Sequence, residues 1–294
     1  MDSIFGVPPQ ALFGQLLIGL INGSFYALLS LGLAVIFGLL NIINFTHGAQ
    51  YMMGAFCAWF LLNKLGLGYW WALAIVPIAV GAFGILIERT MLKRLYKLDH
   101  LYGLLLTFGL ALIIQGLFRH EFGSSGMPYQ TPEALTGGRN LGFMFLPNYR
   151  AWVVVASIVV CFATWYVIER TKLGAYLRAA TENPALVQAF GINVPRMITL
   201  TYGFGVGLAG LAGVFAAPIY QVNPLMGADL IIVVFAVVVI GGMGSILGAV
   251  LTGFGLGVIE GLTKVFYPEA SNTVIFIIMA IVLLIRPQGL FGQR

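Results

Sequence analysis

The chain has 294 residues, 60% of them hydrophobic and 9% charged, against about 25% charged in a typical soluble domain. That balance excludes a soluble enzyme and specifies an integral membrane protein, so the net charge of +5 is an orientation signal and not a nucleic-acid footprint. Cys57 and Cys161 lie far apart inside apolar runs, which argues against a disulfide framework.

The first ten residues carry no basic segment and no small-residue cleavage site, so the first apolar run is expected to be a retained span. Residues 3–63 contain no Lys, Arg, Asp or Glu, and charge-free runs recur at 65–87, 101–118, 151–168, 197–228 and 230–259. A helical crossing needs about 20 apolar residues. The alternating pattern of a membrane barrel is absent. These runs predict an all-α polytopic membrane protein forming a single transmembrane domain over 1–294, with about nine spans and eight to ten as the range.

Inside the first block, residues 41–50 read Asn-Ile-Ile-Asn-Phe-Thr-His-Gly-Ala-Gln. So many polar groups at membrane depth predict a broken helix facing a cavity. Asn41, Asn44, His47, Gln50 and Tyr51 are the candidate translocation residues, with Asn44, His47 and Tyr51 spaced to share one face. The alternative is that these side chains only hydrogen-bond neighbouring helices and hold the break in shape. No second His, Cys or carboxylate stands at ligand spacing, so no metal is expected.

Basic residues cluster at Arg89, Lys93, Arg94 and Lys97, and again at Arg170, Lys172, Arg178 and Arg196, and both loops are expected in the cytoplasm. The loop 119–150 between them is expected outside. Within the polar stretch 169–196, Asn183 is a good N-cap, Pro184 suits the first helical position and Gly191 the left-handed C-terminal one. They define a helix of about two turns. Leu186, Val187 and Phe190 are expected on one face, with Glu182 at the positive N-terminus. So short a helix must pack on something, and the expected role is docking to a soluble partner.

Glycine is abundant, at 38 residues. Gly19-xxx-Gly23, Gly203-xxx-Gly207 and Gly253-xxx-Gly257-xxx-Gly261 predict close helix contacts in lipid. Residues 241–245, Gly-Gly-Met-Gly-Ser, predict a sharp turn between two helices. The segments 32–39 and 255–262 agree at six of eight positions and hint at an internal repeat. No Gly-Lys-Ser or Gly-Lys-Thr occurs, so any ATP is hydrolysed by another subunit. Asp229 and Glu260 are the carboxylates within the later apolar runs.

Tyr26-Ala-Leu, Gly32-Leu, Asn44-Phe-Thr-His-Gly48, Glu182-Asn-Pro, Gly191-Ile-Asn193, the 241–245 turn and the terminal Arg286-Pro-Gln-Gly-Leu-Phe-Gly292 together resemble the branched-chain amino acid permeases of ATP-binding-cassette transporters. The likeness runs nearly end to end, and to the first of two related permease subunits. It implies an importer of branched-chain or related amino acids, or small amides, in the bacterial inner membrane. The C-terminus would be cytoplasmic and the N-terminus periplasmic. This subunit would pair with a second related permease as a hetero- or homodimer, bind two cytoplasmic ATPases, and receive substrate from a periplasmic binding protein, with no cofactor. Arg178, Glu182 and the 183–191 helix would form the ATPase-coupling segment. The chain departs from that pattern with Thr46 where a small residue is expected, and with Val233 where some relatives carry Lys. The rival readings are an ion-coupled secondary transporter of small polar solutes and, behind it, an intramembrane enzyme, for which no catalytic constellation appears.

Overall fold

The structure is a computed structural model that describes residues 7–40, 43–96 and 98–292. Among these residues the regular structure is helical apart from one hairpin. The elements are α1 (Pro9–Leu40), α2 (Thr46–Leu65), α3 (Tyr69–Thr90), α4 (His100–Phe122), β1 (Gly138–Asn140), β2 (Phe145–Pro147), α5 (Asn148–Arg170), α6 (Lys172–Glu182), α7 (Pro184–Ala189), α8 (Val194–Ala216), α9 (Met226–Gly241), α10 (Ile246–Phe266) and α11 (Val274–Ile285). Within α1, α3, α4, α5, α8 and α10 the helices are long and apolar enough to cross a bilayer, and α9 and α11 are shorter apolar helices. The protein is thus a polytopic helical membrane protein. Its contacts group into two units, one of residues 1–30, 130–161 and 233–294 and the other of 31–129 and 162–232.

In the first unit, α10 lies against the first part of α1 through bare backbone. A Cβ built on Gly257 would fall on the Gly19 carbonyl, one on Gly253 on the Ala27 backbone, and one on Gly261 on the Gln15 carbonyl. The two glycine motifs anticipated as contact faces therefore meet each other, in the close approach that small residues permit in lipid. Polar groups bridge the same seam. Ser30 donates to the Ala249 carbonyl at 3.2 Å, and the Tyr26 hydroxyl donates to Glu260 at 2.7 Å. Lys264, one turn on, also contacts the Glu260 carboxylate, so this intramembrane charge is paired as its depth requires. Gly255 meets nothing within 4 Å. In the second unit, its counterpart Gly32 is packed against the Gly205 carbonyl. The two halves of the suggested repeat therefore sit in unlike surroundings.

The 241–245 turn is as sharp as its sequence implies. Gly242 and Gly244 adopt φ of 104° and 92°, and Ser245 caps α10 by accepting from the Gly248 N–H at 3.0 Å. The chain's end closes onto this turn, with Leu290 N–H donating to Ile240 at 2.8 Å and Phe291 N–H to Gly241 at 3.1 Å. The hairpin of β1 and β2 pairs Gly138 with Pro147 inside the 119–150 loop. It escaped the sequence reading because each strand has only three residues.

In the second unit, α8 is the buried hub, packed on α2 and α3. Gly54 of α2 meets Gly210, and Gly213 lies on the backbone of Tyr51 and Ala55. On the other side Gly81 meets the Gly203 carbonyl and Gly207 meets Pro77. A stacked set of Phe56, Phe118 and Phe122 joins α2 to α4.

Candidate functional site

A helix break positions the polar cluster. α1 ends at Leu40, α2 begins at Thr46, and Ile43 and Asn44 are non-helical; Asn41 lies outside the described residues. The break is deep. Thr107 accepts from the Phe45 N–H at 3.2 Å, and its one proton is shared between the Ile43 carbonyl at 3.1 Å and the Leu104 carbonyl of its own helix at 3.0 Å. Thr107 stands seven residues beyond His100, the first of α4, and hence about 10 Å along that helix at 1.5 Å per residue. Unwound backbone at such depth must be satisfied by protein groups, and this fully buried hydroxyl does so on both sides of Asn44. The partners stand 62 and 64 positions apart, which is why the sequence does not reveal Thr107.

Asn44, Thr46, His47, Gln50 and Tyr51 are all buried. Asn44 does not share a helix face with His47 and Tyr51, because it precedes α2. Instead its amide donates to Gln50 at 3.1 Å and its carbonyl oxygen accepts from the Thr46 hydroxyl. Thr46 is therefore part of the knot. His47 points elsewhere: a Cβ on Gly32 would stand 2.9 Å from its ring. Tyr202 of α8, unforeseen, brings its hydroxyl beside Gln50 and Thr46. By distance and angle neither that hydroxyl nor the Gln50 amide nitrogen completes a hydrogen bond among the described residues. Buried donors left unmet are uncommon and mark places where a polar guest or water is accommodated. Gly48 closes the other side, its Cα against the Gly227 carbonyl at the start of α9. Asp229 lies exposed in the first turn of α9, where the helix dipole favours negative charge.

The short helix at 184–189 forms as its caps require. Asn183 accepts from the Leu186 N–H at 3.0 Å, Pro184 opens α7, and Gly191 follows it with φ of 81°. The expected single apolar face is corrected, however. Leu186 and Phe190, four residues apart, are 54% and 77% exposed, whereas Val187, turned about 100° away, is 6% exposed and faces inward. α7 packs on α6 and α8. α6 was not anticipated, since only Gly174 and Leu177 of its eleven residues are buried. Arg178 donates to the Ile168 carbonyl at 3.1 Å and lies 3.5 Å from Glu169; being exposed, that ion pair contributes little. Glu182 ends α6 immediately before the Asn183 cap.

Nearby, Tyr96 in the loop after α3 donates to Glu88 at 2.6 Å, and burial, reinforced by that carboxylate, pushes its phenol well above the usual range. In the 123–147 region, burial with the nearby Tyr69 pushes the Tyr129 phenol up to about 12. No group of three His, Cys, Asp or Glu that suits a metal forms among the described residues.

The family model described as branched-chain amino acid transport system, permease component, matches residues 15–283. The chain belongs to this permease family. It is 32% identical to the high-affinity branched-chain amino acid transport system permease protein BraD of Pseudomonas aeruginosa, covering 95% of both chains. It is 28% identical to LivH of Escherichia coli K12, again over 95% of both. LivM of the same organism is 29% identical over 90% of this chain but 67% of its own length. The permease therefore resembles the BraD and LivH kind end to end, and the second, related LivM kind over a shared core. These relatives are transport permeases and not enzymes. No solved structure matches the chain.

Proposed function

We propose that the permease is the membrane subunit of an ATP-driven importer for branched-chain amino acids or closely related small solutes. The observation that carries this reading is its likeness to BraD over 95% of both chains. In this reading two cytoplasmic ATPases bind α6 and α7 through Arg178, Glu182 and the exposed Leu186 and Phe190, and a periplasmic binding protein delivers the substrate. The partner permease is a LivM-like chain or a second copy.

The solute passes the break at 41–45 beside Asn41, Asn44, His47, Gln50 and Tyr51. The unmet Gln50 and Tyr202 donors support that route, since an amino acid's carboxylate needs such donors once dehydrated. Nine crossings, α1 to α5 and α8 to α11, would put the N-terminus outside and the C-terminus inside. Two contacts support that count. Met127 pairs with Val222, joining the loops before α5 and after α8. The chain's end bonds the α9–α10 turn, as an even number of intervening crossings requires.

The test is uptake into vesicles containing the purified complex, with a panel of amino acids and amides. Uptake that requires ATP inside the partner-loaded vesicles supports the importer; uptake driven by an ion gradient without ATP replaces it with a secondary transporter.

A further inference from the structure

Glu88, near the end of α3, is 1% exposed, and among the described residues no cation pairs with it. Both its oxygens are held by hydroxyls: Tyr96 donates to Oε1 at 2.6 Å and Thr199 to Oε2 at 2.8 Å. A carboxylate buried in this way is expensive, and a packed apolar side chain would stabilise the same spot at least as well. The arrangement calls for a role beyond packing.

Its two partners lead in different directions. Thr199 is the sixth residue of α8, whose cap Asn193 follows the docking helix within four residues of Ala189. Tyr96 lines a cavity of about 80 Å³ together with Leu40, Ile43, Leu92 and His100. Ile43 is the residue whose carbonyl Thr107 holds, so this cavity lies directly under the helix break. Thr199 also has an alternative. Its single hydroxyl proton faces a second acceptor, the Pro195 carbonyl at 3.0 Å, within its own helix. One proton with two acceptors has two positions: turned to Glu88 it adds a tie between α8 and α3, turned to Pro195 it withdraws that one tie while the packing of the two helices stays.

We propose that Glu88 is a positioning residue for transport, passing movement of the 169–196 docking segment through Thr199 to Tyr96 and so to the cavity beneath the break. The inference rests on the importer reading. It requires no proton transfer and no new ligand. It states which contacts change when the ATPases pull on α7, and it fits the way coupling travels through hydrogen-bonded groups with two discrete arrangements.

The experiment uses the complete complex in vesicles and compares wild type with Tyr96→Phe, Thr199→Val, Thr199→Ser and Glu88→Gln. Phe and Val remove one hydroxyl each at nearly constant volume, and Gln replaces one acceptor oxygen by an amide nitrogen to which a hydroxyl can no longer donate. Expected are normal assembly and basal ATP hydrolysis, uptake and substrate-stimulated hydrolysis lowered roughly tenfold, and recovery in Thr199→Ser. The double variant Tyr96→Phe/Thr199→Val is expected to be no worse than the poorer single one, because both break one relay. ATP-driven wild-type uptake that stays within about twofold in Phe, Val and Gln variants overturns the relay alone. A parallel loss of melting temperature, basal hydrolysis and uptake also overturns it, in favour of a structural carboxylate. ATP-independent uptake by the wild type overturns the importer reading and the relay with it.

Discussion

The Tyr26 hydroxyl and the Glu260 carboxylate meet at 2.7 Å across the seam between α1 and α10, with Lys264 closing on the same carboxylate. Lys264 balances the Glu260 charge, and the Tyr26 hydroxyl donates to the same buried carboxylate. Tyr26→Phe removes a hydrogen bond to a charged group, which contributes about 1.5–3 kcal/mol when buried. The expected outcome is a lower melting temperature in detergent with the docking segment untouched, so ATPase binding persists at temperatures where the variant is folded.

Gly48 tests the tightest crossing in the second unit. A Cβ there would strike the Gly227 carbonyl, and overpacking of this kind costs about 1–3 kcal/mol. Gly48→Ala is expected to lower the melting temperature. Gly14→Ala, where nothing lies within 4 Å, is expected to leave it unchanged or raise it slightly, since alanine is the better helix former.

Thr107 is the support of the break. Thr107→Val keeps the shape but orphans the Phe45 N–H and the Ile43 carbonyl, at about 1–3 kcal/mol for each group left unmet. Both stability and uptake are expected to fall, and Thr107→Ser is expected to restore them. Equal behaviour of Val and wild type in uptake and melting would show that the break is held by other means.

On the proposed docking surface two residues are expected to have opposite tasks. Phe190→Ala is expected to leave the melting temperature unchanged, because the ring is exposed, yet to abolish ATPase co-purification, as loss of an aromatic anchor of about 2 kcal/mol or more would. Val187→Ala is expected to do the reverse in first instance, loosening α7 from α6 and α8 by roughly 1–2 kcal/mol. A Phe190→Ala complex that retains its ATPases would move the contact elsewhere on the 169–196 segment.

Local chemistry was readable and long-range partnership was not. The caps at Asn183, Pro184 and Gly191, the 241–245 turn and the glycine faces of α1, α8 and α10 are each specified by neighbours a few positions apart, so the sequence carries them in full. The break near 41–50 was visible as a cluster of polar residues in an apolar run. Its support was not: Thr107 joins Phe45 across 62 positions, and Thr199 joins Glu88 across 111. A threonine in an apolar helix and a glutamate at its end look ordinary until the fold supplies their partners. Val187 was placed on the wrong side because a helix as short as α7 allows two faces, and only the packing of α6 and α8 selects between them.

The glycine contacts of α8 have a mechanical consequence. Gly207 and Gly213 face the Pro77 and Tyr51 carbonyls with no side chain to disengage, but Ile85 and Val80 of α3 fill the notches at Gly203 and Gly210, and interlocked side chains must leave their rotamers before two helices can move past each other. Such a seam is keyed: it resists separation through close contact, and on the α3 side it resists translation through those two side chains. The helix that follows the 169–196 segment thus shifts along its own axis against α3 only once Ile85 and Val80 leave those notches.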